Sequence, residues 1–228
     1  MTQEHWQIGT EPPPSLKHGS DPAGALGTQM IVLGWCLWLV GTWAVTLSLT
    51  SSVPAARWLI LVALMGLMLV WPAVRLSTRE VRMRAGTVWM EWLCLVLVLQ
   101  AAVWPLRIVS QWRLDQTAWL AGALAAWSLL TAAVVAMGMR SRRAGPRIAA
   151  MVACVVLVLG EPAVMALAAA GGDTALWPMR VSPLATVWSL VQPALNVSLD
   201  PWPQRVVAAG AAAVIAWLMV MVSSRWMR

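Results

Sequence analysis

Six long apolar runs, near residues 29–50, 57–76, 88–109, 117–139, 147–170 and 205–224, take up most of the 228-residue chain. Each is long enough to cross about 30 Å of hydrocarbon as an α-helix rising about 1.5 Å per residue. In lipid every backbone N–H and C=O must find its partner inside the protein, which leaves helices and closed barrels as the spanning structures. The runs show no strand-like alternation of polar and apolar residues, so barrel strands are excluded. The expected fold is therefore all-α, a polytopic membrane protein built as a six-transmembrane-helix bundle. Composition agrees: 60% of residues are hydrophobic and 11% charged, against roughly 45–50% and 25% in soluble domains.

Residues 1–28 are polar and punctuated by Glu11-Pro12-Pro13-Pro14. They lack the basic start and small-residue cleavage site of a signal peptide, and are expected to form a disordered cytoplasmic tail ahead of a membrane domain over 29–228. Arginine asymmetry sets the orientation. Arg75, Arg79, Arg82, Arg84, Arg140, Arg142, Arg143, Arg147, Arg225, Arg228 and Lys17 fall on one side of the bundle. Arg57, Arg107, Arg113, Arg180 and Arg205 fall on the other. The richer side is read as cytoplasmic, which puts both termini inside. Residues with GC-rich codons dominate, and a bacterial inner membrane is the expected location.

The inventory excludes several chemistries. The single lysine, Lys17, lies in the tail, so no phosphate-binding loop ending in Gly-Lys-Ser/Thr exists. His5 and His18 lie there too, which removes the usual ligands for haem or catalytic metal between helices. The 14 methionines are read as core filler and lipid-facing surface. Cys36, Cys94 and Cys154 fall in three different runs without CxxC spacing and are read as inert apolar thiols. No metal or cofactor is expected. The formal charge of +7 is assigned to cytoplasmic loops and anionic head groups, and nucleic acid is not an expected partner.

With 17 Trp and no Phe or Tyr, every aromatic role falls to tryptophan. The motif Trp-Pro-x-Arg occurs at Trp104 to Arg107, Trp177 to Arg180 and Trp202 to Arg205, all on the outer side, and Trp71-Pro72 to Arg75 is a related form. Indole favours the head-group layer, proline starts or ends helices and arginine reaches phosphate. Trp104, Arg107, Trp177, Arg180, Trp202 and Arg205 are thus read as interfacial anchors. In the last outer loop, Ser182 caps a short helix opening at Pro183 and closing before Pro193. Its apolar face, Leu184, Val187, Trp188 and Val191, predicts a helix lying on or dipping into the outer leaflet.

Small residues recur every fourth position at Ala118, Gly122 and Ala126, and again at Ala208, Ala212 and Ala216. Such stripes permit close helix approach and place the fourth and sixth runs inside the bundle. The Leu- and Met-rich second run reads as lipid-facing.

Three polar residues within the spans are candidate functional groups, because intramembrane ionisable side chains are costly. Glu91 lies near the cytoplasmic start of the third run, within reach of Arg82 or Arg84. Glu161 lies deep in the fifth run beside Pro162, and Gln100, mid-helix in the third, is its expected polar partner. No nucleophile–base or metal constellation is visible, so no catalytic residue is assigned and an enzyme is not expected.

The layout resembles the permease subunits of ABC-2-type transporters. Ser182-Pro183-Leu184 to Leu190 is similar to the Pro-Leu element before their last span, and Arg79-Glu80 followed by Gly86-Thr87 is similar to the stretch after their second helix. The resemblance implies six helices with both ends cytoplasmic, and a transport function with a separate cytoplasmic ATPase as partner. The scarcity of polar residues within the runs supports an alternative: a non-catalytic anchor or assembly subunit bound to other membrane subunits.

Overall fold

The computed structural model describes residues 22–48, 52–78, 85–141, 143–169, 182–191 and 202–225. Among them the chain is helical and contains no strand. In order the elements are α1 (Pro22–Ser48), α2 (Ser52–Met65), a π-helical turn (Gly66–Val70), α3 (Trp71–Ser77), α4 (Ala85–Ser110), α5 (Leu114–Gly138), α6 (Ala144–Ala169), α7 (Pro183–Val191) and α8 (Trp202–Arg225). Four stretches are long and apolar enough to cross a membrane: Ala55–Ser77, Ala85–Ser110, Leu114–Gly138 and Pro203–Ser223. Two shorter apolar stretches lie in α1 and α6, at Gln29–Val45 and Ala144–Gly160. The chain is a multi-pass membrane protein. Helix α1 already begins at Pro22, inside the stretch read as tail.

Helix α5 is the hub. It packs most extensively on α8 and also meets α3, α4, α6 and α7. Alanines spread around it, among them Ala123, Ala132, Ala133 and Ala136, all nearly fully buried, so several neighbours approach its backbone at once. In hydrocarbon there is no hydrophobic drive between helices, and close packing plus interhelical hydrogen bonds must hold them. Three indoles supply such bonds. Trp35 Nε1 donates to Leu95 O at 3.2 Å, Trp92 Nε1 to Ser128 Oγ at 2.9 Å, and Trp217 Nε1 to Leu129 O at 3.1 Å. Each is worth about 0.6 kcal/mol on average in a membrane protein.

Two sequence expectations are corrected. The second run is not lipid-facing: Leu59, Ile60, Ala63, Leu64, Leu67 and Met68 are at most 2% exposed. Leu and Met are equally suited to lipid and to a helix interface, so composition cannot separate the two. The small-residue stripe of α8 does not form its interface. Val206, Ala209, Ala213, Trp217 and Val220 are buried, whereas Ala208 and Ala212 are exposed and Ala216 is half-buried. On α5, Ala118 and Gly122 are likewise exposed and Ala126 half-buried. Alanine occupies adjacent positions all along these runs, and a one-residue offset turns the face by about 100°. Helix α7 is packed into the bundle against α2, α5, α6 and α8. Pro183, Thr186, Val187, Leu190 and Val191 face inward, while Trp188 is 42% exposed. Ser182 Oγ does accept from the Ala185 N–H at 3.2 Å as an N-cap, and Gln116 Nε2 donates to Leu190 O, which pins the other end of α7 to α5.

Candidate functional site

Among the described residues, the charged side chains classed as buried form one ion pair. Arg75 on α3 and Glu91 on α4 are 2% and 0% exposed. The Arg75 Nε–H is shared between both carboxylate oxygens, at 2.9 Å to Oε1 and 2.7 Å to Oε2. Arg75 lies two residues before the end of α3 and Glu91 six residues after the start of α4. Along their own helices the two backbones thus stand about 3 Å and about 9 Å from that end of the bundle.

Local sequence explains the setting. Trp71 precedes Arg75 by one helical turn and is itself buried. Its indole is close to the Glu91 carboxylate without completing a hydrogen bond of standard geometry. On the other side, Trp92 bonds to Ser128, whose hydroxyl donates in turn to Ala125 O at 3.0 Å. One hydroxyl thus serves as acceptor and donor, and the polar seam passes from α3 through α4 to α5. The Trp89 ring lies 4.8 Å from Trp92 and 5.2 Å from Trp217, the latter edge-on, and extends the aromatic layer to α8. Just beyond the pair, Arg147 Nη1 donates to Thr78 O at 2.9 Å, which ties α6 to the end of α3. At the same end, Arg140 bonds to Ser223 Oγ and Val220 O on α8.

Glu91 thus pairs with Arg75, while the expected partners Arg82 and Arg84 lie outside the described residues. Arg75 is not a loop charge at all, and the basic residues assigned to that side fall from eleven to ten, against five. Ala55, Leu59, Ala63, Leu67, Trp71 and Arg75 recur at every fourth position and are all buried, a row that an unbroken α-helix does not keep on one side over this length.

Gln100 is committed to α5, with Nε2 donating to Ala121 O at 3.1 Å. Its Oε1 is buried without a partner among the described residues. Helix α6 runs through Pro162 to Ala169, while the Glu161 side chain lies outside the described residues. Helix α4 packs chiefly against α1, α2 and α5 among the described residues.

The anchors divide. Trp104 is 43% exposed, as an interfacial indole should be, but Pro105 lies inside α4, which continues to Ser110. Arg107 is half-buried, and its Nε donates to Trp112 O at 3.3 Å, which closes the α4–α5 corner where Gln111 takes a φ of 57°. A left-handed residue just past a helix is a common stop signal. Arg205 is half-buried in the first turn of α8, which Pro203 opens as expected. Trp177, Arg180 and the Trp202 side chain lie outside the described residues. Sequence reasoning missed the interior tryptophans: Trp35, Trp92 and Trp217 are interhelical donors, a role that composition cannot distinguish from anchoring.

Between α1 and α2 an apolar groove of about 380 Å³ opens outward, flanked by Trp38 and Trp58. Comparison with protein-family models, curated proteins and solved structures gives no match to this chain.

Proposed function

We propose that the chain is a six-span, inner-membrane anchor or assembly subunit of a larger bacterial membrane complex, with both termini in the cytoplasm. The observation that carries this reading is the closed interior. Leu64, Leu67, Leu95, Leu99 and Leu124 fill the space between α2 with its π turn, α4 and α5 with no measurable exposure, and the one buried acid among the described residues is neutralised by Arg75. Conduction of a polar solute would require opening that apolar layer. Outward-facing apolar side chains are instead abundant, including Leu97 and Ile108 on α4 and Val207, Ile215 and Met219 on α8, as lipid or partner helices demand. The six-span count is supported by the two further apolar helices, α1 and α6, and the orientation by the remaining arginine bias.

The second reading, a permease-like subunit with a cytoplasmic ATPase, draws on α7, the short helix packed in ahead of the last span. Purification from native membranes in mild detergent separates the two. Stoichiometric integral-membrane partners without an ATPase support the anchor reading, and a stoichiometric ATPase overturns it.

Topology is checked independently. Single cysteines at Gln111 and Gly172, in a background lacking the three native thiols, are expected to react with a membrane-impermeant maleimide from outside. Cysteines at Arg82 and Arg142 are expected to react only after permeabilisation. Outside labelling at Arg82 would reverse the orientation.

A further inference from the structure

The π turn at Gly66–Val70 interrupts a helix that is otherwise continuous from Ser52 to Ser77. Its cause is local. Pro72 has no N–H to give and crowds the carbonyl four residues back, which a wider turn relieves. The Trp71 N–H accordingly bonds to Gly66 O, five residues back. Gly66 also receives the Trp35 ring from α1: a Cβ there would stand 2.7 Å from Cζ3.

The consequence lies downstream. The buried row of this helix has a period of four, from Ala55 through Leu59, Ala63 and Leu67 to Trp71 and Arg75. An α-helix turns about 100° per residue, so each repeat of four drifts by about 40°. Counted from Ala55 along unbroken α-helix, Arg75 would stand about 200° round, in line with the buried Leu64 and Met68 and about 100° from the direction it takes here. A single π turn accommodates one extra residue and takes back about 100°, which returns Arg75 to the middle of the buried face.

We propose that the π turn is a register device: it aims Arg75 at Glu91, and the same helix in unbroken α form turns Arg75 away and breaks the ion pair. Two further contacts depend on the same register. Leu76 Cδ2 lies 3.0 Å from where a Cβ on Gly138 would be, and Thr78 O accepts from Arg147. All three lie beyond the turn, so α3 is held in one of two registers by its neighbours on α4, α5 and α6. A shift to the other register would carry Val74 to the place of Arg75.

Deletion of one residue tests this against intuition. Val70 is 52% exposed and belongs to the turn. Its deletion turns Gly66 to Trp71 into ordinary α-helix and leaves everything downstream in place. The expected result is a monodisperse, folded protein whose thermal midpoint falls only by what Pro72 costs inside an ordinary α-helix. Deletion of Leu61, in the α2 part of the same span, displaces Ala63, Leu64, Leu67 and Met68 by one position, and is expected to abolish the folded species. In the Val70 deletion, Glu91→Ala must still lower the midpoint as it does in the full-length protein, because the pair is retained. Equal tolerance or equal failure of the two deletions overturns the proposal. So does a Val70 deletion in which Glu91→Ala no longer matters.

Discussion

Glu91→Ala and Arg75→Ala are each expected to destabilise the folded bundle by about 3–5 kcal/mol, the usual cost of leaving one member of a buried ion pair without its partner. The geometry makes both variants severe. Neither side chain exceeds 2% exposure, so water cannot replace the missing partner, and the remaining charge stays inside the helix hairpin. Replacing both at once, as Arg75→Met with Glu91→Leu, is expected to recover most of the loss, because two apolar groups of similar size leave nothing unsatisfied. Denaturation in mixed micelles, read as a double-mutant cycle, measures the coupling. Arg113 and Asp115 provide the control: they approach to 3.2 Å but are 74% and 61% exposed. Breaking that pair is expected to cost about 0–1 kcal/mol. Single variants at Arg75 or Glu91 no worse than Arg113→Ala would mean that the pair is not closed off from water.

Gly138→Val is expected to destabilise by about 1–3 kcal/mol through overpacking. A Cβ at Gly138 would lie 2.7 Å from Ala150 Cβ and 3.0 Å from Leu76 Cδ2. The first of these atoms is fixed to the α6 backbone, so relief requires the helices to part and not merely a rotamer to change. Ala150→Gly in the same chain is expected to restore part of the stability. Gly160→Ala is the counterpart: among the described residues nothing lies within 4 Å of its Cβ position. There the helix preference of alanine should stabilise by up to about 1 kcal/mol. The two substitutions are predicted to move thermal midpoints in opposite directions, and a shared direction would remove Gly138 as a point of close approach.

Chemistry that depends on residue type alone was legible without coordinates. Helical spans follow from length and apolarity because lipid gives an unpaired backbone no alternative. Pro183 to Val191 was legible too, since Ser182 and Pro183 form a start signal whose physics is local. Side-chain depth was not. Arg75 read as a loop charge because its distance from the end of the apolar run is short, and only the widened turn after Gly66 shows that it points inward. Gln100 was correctly singled out as a polar group within a span, yet its partner is a backbone carbonyl on α5, which no residue pattern could announce.

The sequence by itself determined the class of this protein: an all-helical, multi-pass membrane chain without lysine, histidine or aromatic hydroxyl chemistry in its spans. Those properties follow from counts and run lengths, on which the bilayer acts as a uniform solvent. Only the tertiary structure decided which apolar faces meet. In hydrocarbon, a leucine that faces lipid and one that faces another helix differ little in transfer energy, so no periodicity marks the interface as it does in water. Shape, a one-residue change of register and a few interhelical hydrogen bonds make that choice, and these put α2 at the core and Arg75 on Glu91.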